Sequence, residues 1–243
     1  MKDFLTDIVA HTHALGNIHL VKIIGDDNTT ELEAVADDKS VVIKAQFHTM
    51  HPDFKGTYGM PNLNKLNVIL NIPEYKKDAK INLVTEQRNG ETVTSGLHFE
   101  NVSGDFVNYY RFMSMEAVNE KLKSVKFKGV PWHVTFVPTV AGIQRFRFQQ
   151  NANSEEGTFI AKTEKGDLKF YFGDHSTHAG NFVFHAGVTG TLNKAWSWPV
   201  QQFISILNLD GDKTVHISDD GAAMITVDSG LIKYEYILPA QSK

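Results

Sequence analysis

The chain opens on an apolar stripe. Phe4, Leu5, Ile8, Val9 and Leu15 recur at helical spacing and predict a helix over 3–15 that stops at Gly16. Apolar, β-branched runs at 18–24, 32–36 and 41–47 read as strands, broken by Asp26-Asp27-Asn28 and Asp37-Asp38. Gly59-Met60-Pro61 then opens a short helix with Leu63, Leu66, Ile69 and Leu70 inward, and Pro73 closes it. Strands at 80–85, 92–99 and 106–113 complete this half, with Asn89-Gly90 as a strong hairpin turn.

The second half repeats the plan. A strand at 132–137 leads to a helix over 138–149, then to strands at 158–163, 168–172 and 181–185. Trp198-Pro199 opens another short helix carrying Val200, Phe203 and Leu207, and strands at 214–218, 222–227 and 231–238 follow. The two Pro-initiated helices superpose at a constant offset of 137, from Leu63 on Val200 to Asn71 on Asn208. Each is followed by a polar turn, a hairpin and a last strand with paired aromatics, Tyr109-Tyr110 in one half and Tyr234 and Tyr236 in the other. The pattern predicts an α+β chain made by internal duplication. Its two similar domains cover 1–113 and 130–243, with helices on one face of antiparallel sheets. The polar, basic stretch 114–129 is the linker.

Charge complicates the picture. With 28 acids against 24 Lys and Arg the net charge is −4, which argues against a nucleic-acid binder. Yet 121–154 holds no Asp or Glu while containing Lys121, Lys123, Lys126, Lys128, Arg145 and Arg147, and 175–209 is again free of acids. One surface cleared of negative charge would give that distribution, and so would stretches rich in buried strand and helix. The chain has no cysteine, which excludes disulfides, thiolate zinc sites and cysteine nucleophiles and suits the cytoplasm. No apolar run is long enough for a membrane span. The acids among Met1 to Asp7 sit where a signal peptide would be basic and then apolar.

The C-terminal wording, Ser218-Asp219-Asp220-Gly221 and then Tyr234-Glu235-Tyr236-Ile237-Leu238-Pro239-Ala240, resembles the last domain of the DNA sliding clamps. These are the phage processivity factors and proliferating-cell nuclear antigen. The stretch from Pro61 to Asn71 resembles the inner helix of a bacteriophage clamp. The likeness covers the whole chain in layout and about a quarter of it in wording.

The resemblance implies a ring of six domains, hence a homotrimer of this chain. Such a ring encircles double-stranded DNA without reading sequence, tethers a DNA polymerase and is opened by a clamp loader. It implies no catalysis and no cofactor, and the host cell's cytoplasm if the source is viral.

The DNA-facing side chains would be Lys65, Arg145, Arg147, Gln149 and Lys194, with Asn62, Asn64, Gln144, Gln150, Gln201 and Gln202 around them. Diffuse charge and amides attract phosphates without reading bases. The first helix carries Asp3 and Asp7 and departs from this pattern. Partner tails would dock near Met113, Met115, Val118, Ile237, Leu238 and Pro239, with Ile237 and Leu238 equally readable as core strand. Two other readings stay open. One is a DNA-binding regulator of phage transcription or replication. The other is a metalloenzyme on a β-scaffold, using Asp174, His175, His178 and His185, or the His48/His51 pair.

Overall fold

A computed structural model describes residues 1–88, 90–122, 127–174 and 178–241. Asn89 of the expected hairpin, Lys123 and Lys126 of the linker, and His175 lie outside the described residues. The chain divides into two compact units. The first comprises Met1–Lys39, Ile43–Lys126 and Ser229–Tyr234; the second comprises Ser40–Val42, Phe127–Asp228 and Glu235–Lys243.

Unit 1 begins with α1 (Lys2–His11), which buries Leu5, Ile8 and Val9, followed by a tight turn at His13–Leu15 instead of further helix. Strands β1 (Leu20–Gly25), β2 (Thr30–Val35), β3 (Val42–Phe47) and β4 (Gly56–Pro61) form one antiparallel sheet in the order β4-β1-β2-β3. Helix α2 (Leu63–Leu70) buries Leu63, Leu66, Ile69 and Leu70 and packs beside α1. A second sheet, β5 (Lys80–Arg88), β6 (Glu91–Glu100) and β7 (Val107–Arg111), stands in the order β5-β6-β7. Inside the expected linker a short helix, α3 (Met115–Lys121), lies on β4. There the buried Val118 occupies the space a Cβ on Gly59 would need.

Unit 2 repeats this layout. It runs β8 (Val134–Phe136), α4 (Val140–Ala152), β9 (Thr158–Glu164), β10 (Asp167–Phe172), β11 (Gly180–His185), β12 (Ser197–Pro199), α5 (Val200–Leu207), β13 (Asp212–Ser218) and β14 (Ala222–Asp228). One sheet is ordered β11-β10-β9-β12. In the other, β14 and β13 lead to β8, and the far end of β15 (Ile232–Pro239) flanks β14. Phe146 of α4 is the hub of the core, with ring centroids of Phe159, Phe170 and Phe203 at 5.1, 5.4 and 6.1 Å. Helices α4 and α5 pack side by side, as α1 and α2 do in unit 1. The bounds of α5 are those of α2 plus 137, so the duplication read from the apolar stripes is carried by the backbone.

Three local expectations need correction. Neither Pro61 nor Pro199 sits inside its helix; each ends a strand. Asn62, in the left-handed region at φ 51°, caps α2 by accepting from the Lys65 N–H at 3.2 Å. Gly59-Met60-Pro61, expected to open the helix, instead ends the strand β4. Its Gly-Thr-Tyr-Gly-Met-Pro composition is that of a breaker, and it is strand because all six residues pair with β1 at the sheet's edge, where Gly and Pro are tolerated. Among the described residues no helix is long and apolar enough to cross a membrane.

A carboxylate ties α1 to the start of β15. Asp7 accepts from the Tyr234 hydroxyl at 2.7 Å and from Ser229 Oγ at 3.0 Å, while the buried His11 ring stacks on Tyr234 at 4.7 Å. Asp7→Ala removes an acceptor shared by two hydroxyl donors. It should cost about 2–3 kcal/mol in urea unfolding, and a loss under about 0.5 kcal/mol would show the cluster to be incidental.

Candidate nucleic-acid interface

Each unit presents one helix pair, and the chemistry of the two pairs differs. On α2 the exposed side chains are Asn64, Lys65 and Val68, and on α1 they are Asp3, Thr6 and Ala10. Of the two acids that set α1 apart in sequence, Asp7 is turned inward by Ser229 and Tyr234, leaving Asp3 on the open side. Lys2 folds back on the Tyr75 and Lys76 carbonyls.

The pair α4–α5 carries no acid and two arginines. At roughly 100° per residue, Gly142, Phe146 and Asn153 mark the buried side of α4. Gln144, Phe148 and Asn151 then fall on the crest, with Arg145 on one shoulder and Arg147 on the other. The partners of the arginines agree with that placement. Arg145 donates to the Val183 carbonyl of β11 at 3.0 Å and lies over the Phe182 ring. Arg147 grips Asn208 Oδ1 through Nε at 3.0 Å and through a second guanidinium nitrogen, bracing α4 to the end of α5. Gln150 donates to Gln201 across the same helix pair at 3.1 Å. Both arginines thus keep their charge at the surface while leaning to opposite sides.

Gln149 is half-buried and accepts from the Asn153 side chain at 3.0 Å, so it belongs to the C-terminal cap of α4. Lys194 is not on α5. It precedes β12 in a loop, with its Nζ 3.9 Å from Asp220. That loop is held by Asp219, which is 6% exposed and accepts from the Asn193 N–H at 2.9 Å, the Lys194 N–H at 3.1 Å and the Asn193 side chain at 3.2 Å. Burial alone would raise the Asp219 carboxyl. The donors from Asn193 and Lys194, with His133 nearby, outweigh it and hold the group below its ordinary value. So α4 and α5 bring Arg145, Arg147, Gln144, Gln150 and Gln201 together, and Lys65 stands on the equivalent helix pair of unit 1. Sequence reasoning missed Phe148 and Asn208; the spacing of Phe146 and Phe148 was the available signal, since both cannot face one core.

The expected docking residues separate by burial. Val118 and Leu238 are 0% exposed and Ile237 is 4% exposed, so these three are core. Ile237 and Leu238 point to opposite faces of β15, both covered. Pro239 is exposed. Met113 and Met115 line a cleft of about 750 Å³ in unit 1, with Tyr58, Arg88 and Glu116. Met113 also borders a groove of about 440 Å³ with His19, Val35, Lys121 and Leu122. Among the described residues, no three His, Asp or Glu side chains converge as metal ligands.

No protein-family model and no curated protein matches the chain. Solved structures do. Proliferating-cell nuclear antigen (PCNA) of A. fulgidus, solved with the C-terminal region of FEN-1, is 13% identical with a TM-score of 0.69, over 100% of this chain and 97% of that one. PCNA from Thermococcus kodakaraensis is 9% identical with a TM-score of 0.64, over 99% of this chain and 97% of that one. These likenesses establish the fold: α+β, with antiparallel sheets, of the PCNA clamp type over the whole chain.

Proposed function

We propose that this chain is the subunit of a bacteriophage-type sliding clamp, closing three to a ring around duplex DNA and tethering a DNA polymerase. The observation that carries the reading is the acid-free α4–α5 surface, with Arg145 and Arg147 at its shoulders, on a PCNA-like scaffold. A clamp holds DNA by topology, so its inner wall needs diffuse positive charge and amides and no base-reading or catalytic group. Net acidity is then no obstacle, because the acids lie elsewhere.

Assembly is supported by the sheet edges. Among the described residues β7 has β6 as its only neighbour, and β11 has only β10. Each unit thus offers such an edge among its terminal strands, and the two are unlike in sequence, which suits head-to-tail pairing that closes into a ring when the rotation permits. ATP hydrolysis falls to a clamp loader in this reading, and the compartment is the host cytoplasm. The FEN-1 complex of A. fulgidus PCNA suggests that partner tails dock here too, and the 440 Å³ groove beside Met113, Lys121 and Leu122 is our choice for them.

Retention on DNA circles tests the proposal. The chain, once loaded, should stay on closed circular duplex and run off the same duplex after linearisation; equal loss from both would end the ring reading. Arg147→Glu should leave the solution mass at three copies and shorten retention on the order of fivefold at physiological salt. Retention equal to the parent would remove α4 from the DNA face.

A further inference from the structure

Unit 2 buries most of its phenylalanines: Phe146, Phe159, Phe170, Phe172 and Phe203 are at most 1% exposed. Phe148 is 68% exposed, on the crest of α4. A lone exposed apolar side chain is ordinary; the setting of this one is not. Its stripe neighbours are the amides Gln144 and Asn151, the shoulders are Arg145 and Arg147, and neither α4 nor α5 has a carboxylate. Val140, also exposed, lies about 12 Å away along the helix axis, so Phe148 is not part of a contiguous apolar patch of the kind a protein partner buries.

An aromatic ring among guanidinium and amide groups is the combination that holds unpaired nucleotides. The ring stacks on a base face while the cations meet the flanking phosphates. Plain duplex offers no free base face along its length. We propose that Phe148 is a stacking site for unpaired bases, giving α4 a preference for single-stranded DNA over plain duplex. The inference rests on the reading that α4 faces DNA, and it adds a ligand class which that reading does not require.

The test uses the full chain and a fluorescent oligothymidylate, followed by anisotropy at low salt. Phe148→Ala should weaken binding about tenfold with an unchanged melting temperature, since the ring is exposed, and Phe148→Trp should restore it. An abasic strand of equal charge should bind the parent as weakly as oligothymidylate binds Phe148→Ala. Equal affinity of Phe148→Ala and parent, or of abasic and normal strands, overturns the proposal. A change in solution mass on Phe148→Ala also overturns it, assigning the ring to a contact between copies. Retention of the parent on circles reads the clamp proposal separately, so the two can fail independently.

Discussion

If the proposed ring forms, Tyr109→Pro should yield a monomer in place of the parent's expected trimer, and should abolish retention on circular duplex. The expectation follows from hydrogen-bond parity in β7. Phe106 accepts from the Asn101 N–H, and the Phe112 N–H donates to Ser95, so the even-numbered residues face β6. The N–H groups of Val107, Tyr109 and Arg111 therefore point to the open edge, and the next odd residue, Met113, donates on that side to Gly59 at 2.9 Å. Proline at 109 removes a donor that unit 1 does not use, and its ring obstructs an approaching strand. The side chain is 66% exposed, so the fold should lose little beyond the His98–Tyr109 ring contact. Asn108→Pro is the contrasting variant, because it cuts a bond to β6 and should destabilise unit 1 itself. Light scattering distinguishes them. A Tyr109→Pro chain that remains trimeric would place the interface somewhere other than β7.

Asp219→Ala should have the largest effect on stability, about 3 kcal/mol and roughly 5 °C or more in melting temperature. The substitution leaves two backbone N–H groups and one amide without the buried acceptor that positions the loop before β12. That loop also holds the Trp196 indole, which donates to the Asp219 carbonyl at 2.6 Å, so its loss should spread to the β13–β14 turn. The parent should show the matching acid sensitivity. A carboxyl held below 3.8 binds protons more readily unfolded than folded, so its contribution is complete above that value and fades as pH falls through the folded value. Urea melts between pH 5 and about pH 3 should show the parent losing stability that Asp219→Ala never had. Parallel pH profiles for the two chains would remove Asp219 as the cause.

The helices that organise the fold were legible because burial imposes a 3.6-residue rhythm, and Leu63, Leu66, Ile69 and Leu70 keep it in a form that Val200, Phe203 and Leu207 repeat. Most strands are legible to within two or three residues from their apolar, β-branched runs. What escaped was set by distant partners. Nothing local makes Gly56–Pro61 a strand; β1 does. Nothing local sends Arg145 and Arg147 to opposite shoulders either. Their acceptors, Val183 and Asn208, lie 38 and 61 residues away. Counting charges therefore picks out α4 but passes over Phe148 at its crest. Lys194 precedes the Trp198-Pro199 start of α5, and its N–H is spent on Asp219, a partner 25 residues away that no local pattern announces.

The last strand begins in unit 1 and finishes in unit 2. The chain therefore returns to complete unit 1 before it ends in unit 2. A gene cut at the linker would produce a first fragment whose Asp7 has lost both hydroxyl donors, and a second carrying six residues that belong to its neighbour. Cassettes from such a chain cannot be shuffled as complete parts, and drift in the first copy of the duplicated unit is constrained by a stretch of sequence filed near the far end of the second.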